Sequence, residues 1–206
     1  MLRIWGRGNS SNVQKVVWLC EEIALPYERI DVGGAFGGLD VPDYLARNPN
    51  GRIPAIDDDG FVLWESNAIV RYLADKYGAG ALWPNEFQQR ALCDRWLDWQ
   101  QTTLAVDFVS IVYALLRTPP EERNPDAIAA ATARLSAALT IFDAELEGRD
   151  YIMGDQLTIG DIPTGVWIYR WFLFELEGPD LPNVSAWYER LKARAAYRKS
   201  VMVKLA

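Results

Sequence analysis

The stretch NPNGRIPAI, residues 48–56, decides the fold of the first part of the chain. Its first four residues have the composition of a tight turn, and Pro54 then opens an apolar run. Because proline cannot donate to a strand's hydrogen-bond ladder, it marks the first residue of a strand. If the Ile53–Pro54 bond is cis, Ile53 turns its backbone N–H and C=O toward an extended peptide ligand; an ordinary trans proline is the simpler alternative.

Short elements are predicted on both sides of this stretch. Alternating or wholly apolar runs bounded by Gly, Pro and Asp indicate strands, and apolar residues spaced three and four apart indicate helices. The predicted order is βαβαββα: strand 2–6, a helix from residue 12 that ends before Pro26, strand 27–32, a short helix at 41–47, strands 54–57 and 61–64, and a helix from Ser66 to Gly78.

The rest of the chain predicts helices only. Residues 79–86 have the composition of a linker, and no convincing strand follows them. The helical runs cover 87–116, 125–146, a segment that begins with the capping-box-like TIGD at 158–161, and 184–195. This change of architecture near residue 80 predicts an α+β protein of two domains.

The composition excludes several function classes. The net charge is −7 without a basic run, so we expect neither nucleic-acid nor anionic-membrane binding. We see no signal peptide and no apolar stretch of roughly 18 residues, and therefore expect a cytoplasmic protein. There is no histidine, which excludes Ser-His-Asp and Cys-His catalysis and His-ligated metal sites. Cys20 and Cys93 form no CxxC motif, so we interpret them as buried small apolar residues.

Two clusters place polar groups at helix N-termini. Residues 8–12, GNSSN, lie between a strand and a helix, where the unpaired N–H groups and the helix dipole favour an anion such as a thiolate. Glu65 and Ser66 precede another helix, where they suit a ligand that carries both an ammonium and a carboxylate. Each cluster alone is also explained by ordinary N-capping.

Together with the proline turn, these clusters resemble the cytosolic glutathione transferases. The segments that carry the resemblance are WGRGNSSNVQKV (5–16), NPNGRIPAI (48–56), LWESNAIVRYL (63–73) and LTIGDI (157–162). The resemblance covers essentially the whole chain and is strongest to bacterial serine-type or nu-like members. It implies a thioredoxin-like, glutathione-binding domain at 1–78 and an all-helical domain at 87–206 that contributes the electrophile site.

The resemblance also implies a residue that activates the glutathione thiol near the first strand–helix junction. The family uses Tyr, Ser or Cys there; no tyrosine precedes residue 27, and Cys20 lies within the helix. A zeta- or tau-like spacing selects Ser10, a delta-like spacing selects Ser11, and a nu-like pairing adds Asn12. We favour Ser10, then Asn12, then Ser11.

The remaining glutathione contacts follow from the same motifs. The resemblance implies that Pro54 is the family's cis-proline and that Ile53 pairs with the cysteinyl backbone of glutathione. Glu65 and Ser66 would bind its γ-glutamyl group. Arg52 would reach the glycine carboxylate, or is a solvated turn residue.

The electrophile site is expected to be an apolar cleft between the domains. Its candidate residues, each with ordinary core packing as the alternative, are Val109, Tyr113, Trp167 and Trp171. Arg117 is a candidate contact for an anionic substrate, and a solvated loop residue otherwise.

The resemblance predicts an enzyme that conjugates the glutathione thiolate to small hydrophobic electrophiles, with glutathione as co-substrate and no metal. Glutathione-dependent disulfide reduction and a non-enzymatic glutathione-binding protein of the same fold are the alternatives. A detoxifying homodimer is also implied, and Trp96 and Trp99 would serve either its interface or the core.

Overall fold

The fold combines a four-stranded sheet with helices between and after its strands. The computed structural model describes residues 1–78 and 80–205. Two units emerge: residues 1–83 with 196–204, and 84–195 with the end of the chain. Ala79, which begins the expected linker, and Ala206, which ends the expected second domain, lie outside the described residues.

The sheet of the first unit has the strand order β2-β1-β3-β4. Its strands are β1 (Leu2–Trp5), β2 (Tyr27–Ile30), β3 (Ala55–Asp58) and β4 (Phe61–Trp64). β1 runs parallel to β2 and antiparallel to β3, with Ile4 opposite both Arg29 and Ile56. Ile4 and Ile56 are fully buried, so the centre of the sheet is also the centre of the core.

The first three helices of the chain lie where the sequence predicts them. They are α1 (Ser11–Glu22), α2 (Pro42–Leu45) and α3 (Ser66–Tyr77). α1 and α3 pack against each other, and Val13, Val16, Ile69 and Leu73 are fully buried. The predicted βαβαββα order is therefore confirmed.

The second unit is helical. Its elements are α4 (Phe87–Trp99), a π-helical turn (Gln100–Leu104), α5 (Ala105–Leu116), α6 (Pro125–Glu145), α7 (Asp161–Leu173) and α8 (Pro182–Ala193). The π turn interrupts what the sequence predicts as one helical run from 87 to 116. Hydrophobic spacing cannot reveal a turn that inserts one residue and leaves the chain helical on both sides.

The TIGD motif begins α7, but Gly160 is its N-cap residue and no side chain caps the helix N–H groups as a capping box would. Asp161 Oδ2 accepts hydrogen bonds from the N–H and the hydroxyl of Thr158, at 2.9 and 3.2 Å. Its Oδ1 atom accepts from the N–H of Ile152 at 2.9 Å and from Nε1 of Trp187 at 3.0 Å. Asp161 thus joins the start of α7 to α8 and to the preceding loop.

A short helix, α9 (Ala195–Ser200), follows α8 and was not predicted. Tyr197 is fully buried, and its ring meets the Trp18 ring edge-on at 4.8 Å. Gln14 Nε2 donates to the carbonyl of Val201 at 3.3 Å. Because of such contacts residues 196–204 group with the first unit, whereas the sequence assigned 87–206 to one domain.

The 21-residue helix α6 is long and apolar enough to cross a membrane by length and composition alone, which differs from the prediction that the chain has no such apolar stretch. It packs against α5 and α8, buries Leu135, Leu139 and Phe142, and carries Arg134, which pairs with Asp107 at 2.6 Å. These contacts are those of a core helix.

Candidate functional site

The N-terminus of α1 holds the first group of candidate residues. Ser10 is the N-cap residue, with extended backbone, and its carbonyl accepts from the N–H of Gln14 at 2.8 Å. Its hydroxyl makes no capping bond to the helix. The first N–H groups of α1 and the Ser10 hydroxyl are therefore both available to an anion beside half-buried Ser11 and Asn12.

Gly6 allows this helix end to approach the proline turn. Its φ angle is +148°, and a Cβ atom there would lie 2.4 Å from Cγ2 of Val13 and 3.2 Å from Cβ of Ile53. Any side chain at this position would therefore push apart the end of β1, the start of α1 and the turn before β3.

Asn12 connects the start of α1 to the start of α3. The Ser66 hydroxyl donates to Asn12 Oδ1 at 3.3 Å and accepts from Lys15 Nζ at 3.5 Å. Lys15 Nζ also donates to Asn67 Oδ1 at 3.2 Å. The structure thus brings two predicted residues, Asn12 and Ser66, into direct contact.

Lys15 was not predicted as a site residue. It is fully buried within α1, flanked in sequence by the buried residues Gln14 and Val16. A lysine is almost never fully buried without a partner. The sequence feature that could have identified Lys15 is its position: a charged residue on the apolar face of the first helix, three residues after Asn12.

The proline turn presents the backbone of Ile53. The Ile53–Pro54 bond is cis, as the resemblance implies. The Arg52 carbonyl is held by the Tyr44 hydroxyl at 2.6 Å and by Asn48 Nδ2 at 2.7 Å. Within residues 1–78 and 80–205, neither backbone group of Ile53 has a hydrogen-bond partner, so both remain available to an extended ligand. The Arg52 side chain is exposed.

Glu65 precedes α3 in an unusual backbone conformation. Its φ angle is +74°, a region that non-glycine residues rarely occupy. Its carbonyl accepts from the N–H of Ile69 at 2.9 Å, and its carboxylate is on an exposed residue. Glu65 is therefore exposed at the residue before α3. Ser66, the first residue of α3, instead contacts Asn12 at the start of α1.

The two cysteines do not provide a nucleophile. Both are fully buried, and burial raises the pKa of the Cys20 thiol to about 12 and that of Cys93 to about 11. The thiolate is the reactive form of cysteine, and these two thiols stay protonated at neutral pH. A reactive sulfur at this site must therefore come from a bound molecule.

The electrophile-site candidates fall into two groups. Val109 and Tyr113 are 49% and 57% exposed on α5, one helical turn apart. Trp167 and Trp171 are only 3% and 5% exposed, and Trp167 stacks on Phe108 at 5.3 Å. For the two tryptophans the structure agrees with the alternative of core packing.

Of the two arginines in the α5–α6 connection, one is exposed and the other is held by backbone carbonyls. Arg117 is exposed, with its guanidinium 5.0 Å from the Tyr113 ring centre. Arg123 donates to the carbonyls of Thr118 and Leu115 at 3.1 and 2.8 Å, and so caps the end of α5. Trp96 and Trp99 lie against Phe142 at 5.3 and 5.8 Å, which agrees with a core role.

Comparisons with known proteins match both halves of the chain. Residues 1–75 match the family described as "Glutathione S-transferase, N-terminal domain", and residues 100–195 match "Glutathione S-transferase, C-terminal domain". The chain is 44% identical over 205 residues to glutathione S-transferase GstB of Escherichia coli K12, covering 98% of this chain and 99% of that protein.

Solved structures agree with these matches. The chain is 49% identical to a theta class glutathione S-transferase of Xanthomonas axonopodis pv. citri, solved with glutathione bound. The TM-score is 0.95, and the match covers 100% of this chain and 99% of the other. Glutathione transferase URE2P6 of Phanerochaete chrysosporium, in complex with oxidized glutathione, is 27% identical, with a TM-score of 0.87 and coverage of 97% and 94%.

Proposed function

Because the chain belongs to the glutathione S-transferase family, we propose that it binds glutathione in the first unit, ionises its thiol at the α1 N-terminus and transfers the thiolate to small hydrophobic electrophiles. The observation that carries this proposal is the Ser10 hydroxyl, which occupies the N-cap position without bonding to the helix. A donor that does not cap its own helix is free to serve a bound anion.

The Ser10 hydroxyl and the N-terminus of α1 can together supply the free energy needed to ionise the glutathione thiol. A cysteine thiol has a pKa of about 8.5, so only about a few per cent is ionised at neutral pH. Lowering that pKa by about 2 units takes about 2.7 kcal/mol of differential stabilisation. A hydrogen bond to a charged acceptor contributes about 1.5–3 kcal/mol, and the helix N-terminus adds about 0.3–1 kcal/mol. One hydroxyl and one helix end therefore suffice without a general base.

The other predicted residues hold the tripeptide. Ile53, with unpartnered N–H and C=O groups, pairs with the cysteinyl backbone. The N-terminus of α3 at Ser66 receives the γ-glutamyl carboxylate, and the exposed Glu65 carboxylate receives its ammonium. Arg52, which has an exposed side chain, receives the glycine carboxylate. Binding of the remote groups orients the sulfur toward Ser10.

The electrophile side is assigned to exposed apolar residues of α5. Val109 and Tyr113 provide the apolar surface, and Arg117 beside the Tyr113 ring provides a cation for carboxylated substrates. We further propose that the protein is a cytoplasmic homodimer that detoxifies such electrophiles. Sedimentation velocity at micromolar concentration tests the dimer; a monomer across that range contradicts it.

The pH dependence of conjugation tests the role of Ser10. Ser10→Ala should move the acidic midpoint of kcat/KM for a halo-nitroaromatic electrophile upward by about 1–2 pH units, because the thiolate loses its donor. Asn12→Ala and Ser11→Ala should cause smaller shifts, in that order. A Ser10→Ala enzyme with an unchanged midpoint and the wild-type rate removes Ser10 from this role.

Glutathione-dependent disulfide reduction is a second candidate function. It is favoured by the related fungal transferase with oxidized glutathione bound. In that reaction the glutathione thiolate attacks a disulfide sulfur and displaces a thiolate, and a second glutathione releases the mixed disulfide as oxidized glutathione. Comparing kcat/KM for a halo-nitroaromatic and a model dialkyl disulfide decides which activity dominates.

A further inference from the structure

The C-terminal segment is unusually basic for this protein. The whole chain carries a net charge of −7, yet the segment from Lys192 to Lys204, KARAAYRKSVMVK, contains five basic residues and no acidic one. Residues 196–204 of this segment pack within the first unit. Tyr197 and Val201 are fully buried, and Lys199 Nζ pairs with Glu21 at 2.7 Å.

This segment closes a cavity of about 320 Å³ against the β1–α1 loop and β2. Liquid water occupies about 30 Å³ per molecule, so the space suits about ten waters or one small metabolite. The residues that matter for its chemistry are Gly8, Tyr27, Arg29, Lys199, Ser200 and Lys204. All belong to the first unit.

The charges around the cavity do not cancel. Arg29 pairs with Asp31, and Lys199 pairs with Glu21. Burial would raise the pKa of Glu21, but hydrogen bonds from Lys199 and Tyr27 outweigh it and lower that pKa, so Glu21 stays ionised. Lys204 is exposed and has no acidic partner among the described residues. Three cations thus face two anions, which leaves one uncompensated positive charge.

Ser200 adds a donor that the protein itself does not use. It lines the cavity and is only 4% exposed, and its hydroxyl has no hydrogen-bond partner in the described part of the chain. Leaving a buried hydroxyl unpaired costs about 1–3 kcal/mol. A ligand oxygen in the cavity would remove that cost.

We propose that this cavity is a second ligand site, separate from the glutathione site, that binds the phosphate group of a small metabolite. Lys204 supplies the unpaired charge, Lys199 and Arg29 supply further positive potential, and the Ser200 hydroxyl donates to a phosphate oxygen. Gly8, on the cavity wall, lies two residues before Ser10, which is not among the residues that line the cavity.

Calorimetric titration with inorganic pyrophosphate tests the proposal. The full-length protein is titrated both without glutathione and after saturation with it, and sodium chloride keeps the ionic strength constant. Lys204→Gln should weaken pyrophosphate binding roughly tenfold and Ser200→Ala roughly threefold or more, because each removes a direct contact. Lys192→Gln is the matched control: it removes the same charge from α8, where Lys192 pairs with Glu189 at 2.6 Å, and should leave the affinity unchanged.

Three results would overturn the proposal. One is the absence of saturable binding to the wild-type protein. Another is an equal loss of affinity in Lys204→Gln and Lys192→Gln, which would indicate attraction to overall charge. The third is binding that disappears once glutathione is present, which would place pyrophosphate in the glutathione site and leave the transferase proposal untouched.

Discussion

The buried ammonium of Lys15 donates to the hydroxyl of Ser66 across 3.5 Å and so joins α1 to α3 at the proposed glutathione site. The same hydroxyl donates to Asn12, which places Ser66 between the two helix N-termini. If the γ-glutamyl group binds at Ser66 as proposed, its position depends on Lys15, a residue that does not itself have to touch the ligand.

Lys15→Met should weaken glutathione binding more than it slows catalysis. The change removes the donors that orient Ser66 and Asn67, each worth about 1 kcal/mol. We expect the KM for glutathione to rise about tenfold, whereas kcat changes by less than about threefold. Steady-state kinetics at saturating electrophile, with circular dichroism to confirm folding, measures both values.

Lys76→Met is the control for that experiment. Lys76 also lies on an element of the first unit, but it pairs with Asp58 at 2.7 Å and not with Ser66. It should leave the KM for glutathione unchanged. A rise in KM of equal size in both variants would show that general loosening of α3, and not the contact with Ser66, is responsible.

Asn12 and Ser66 should be energetically coupled. Because they share one hydrogen bond, Asn12→Ala and Ser66→Ala should weaken glutathione binding by amounts that do not add, with a coupling energy of about 0.5–1.5 kcal/mol. Ser11→Ala combined with Ser66→Ala should be additive within about 0.5 kcal/mol. Calorimetric affinities of the single and double variants complete the two cycles; additivity in the first would contradict the shared bond.

The sequence predicts the architecture well because local patterns determine most of it. Short strands such as LRIW and AIDD are bounded by glycine, proline and acidic turn residues. Helices α1 and α3 begin at serines, and α2, α6 and α8 begin at prolines. What it misses depends on tertiary contacts. Helix α9 spans fewer than two turns, too short for an apolar period, and Tyr197 gains its significance only from contact with Trp18.

The candidate site likewise contains residues that local patterns indicate and one that only tertiary contacts reveal. Ser10, Ile53, Glu65 and Ser66 can be proposed from the sequence because each belongs to a local motif next to a helix start or a turn. Lys15 cannot, because its partners lie more than 50 residues away in sequence. Trp167 and Trp171 show why a candidate ligand contact can instead be a core residue. An aromatic residue has the same spacing along a helix whether that helix face meets the core or a ligand.

Asp58 should make the first unit sensitive to acid. Burial would raise its pKa, but hydrogen bonds from Lys76, Tyr72 and Tyr77 outweigh burial and lower it below the ordinary value of 3.8. A lowered pKa stabilises the fold above the unfolded-state pKa, and this stability is lost as the pH falls through the folded-state value. Asp58→Asn should therefore be about 1.5–3 kcal/mol less stable at pH 7.

Urea unfolding between about pH 7 and pH 3 measures this dependence. The difference between wild type and Asp58→Asn should shrink below about pH 4, as the wild-type carboxylate becomes protonated. Asp59→Asn, an exposed neighbour on the β3–β4 turn, provides a variant with the same charge change. A difference that stays constant down to pH 3 would contradict the role of the Asp58 carboxylate.

The two cysteines should be inert in the folded protein. Their thiols are buried and protonated at neutral pH, so an aromatic disulfide reagent should label them at least about 100-fold more slowly than free cysteine. Labelling in urea should recover both thiols. Rapid labelling of the native protein together with loss of transferase activity would show that one of them takes part in the reaction.

Asp161 should be among the most sensitive positions for the stability of the second unit. Its two oxygens accept four hydrogen bonds, including those from Ile152 and Trp187, and the residue is fully buried. Asp161→Ala leaves these donors unpaired and should cost at least about 3 kcal/mol, since each buried unpaired donor costs about 1–3 kcal/mol. Asp161→Asn keeps one acceptor and should lose less. The control is Asp155→Ala at an exposed position, whose free energy of unfolding should stay within about 0.5 kcal/mol of wild type. An Asp161→Ala protein as stable as wild type would contradict the stabilising role of the four hydrogen bonds.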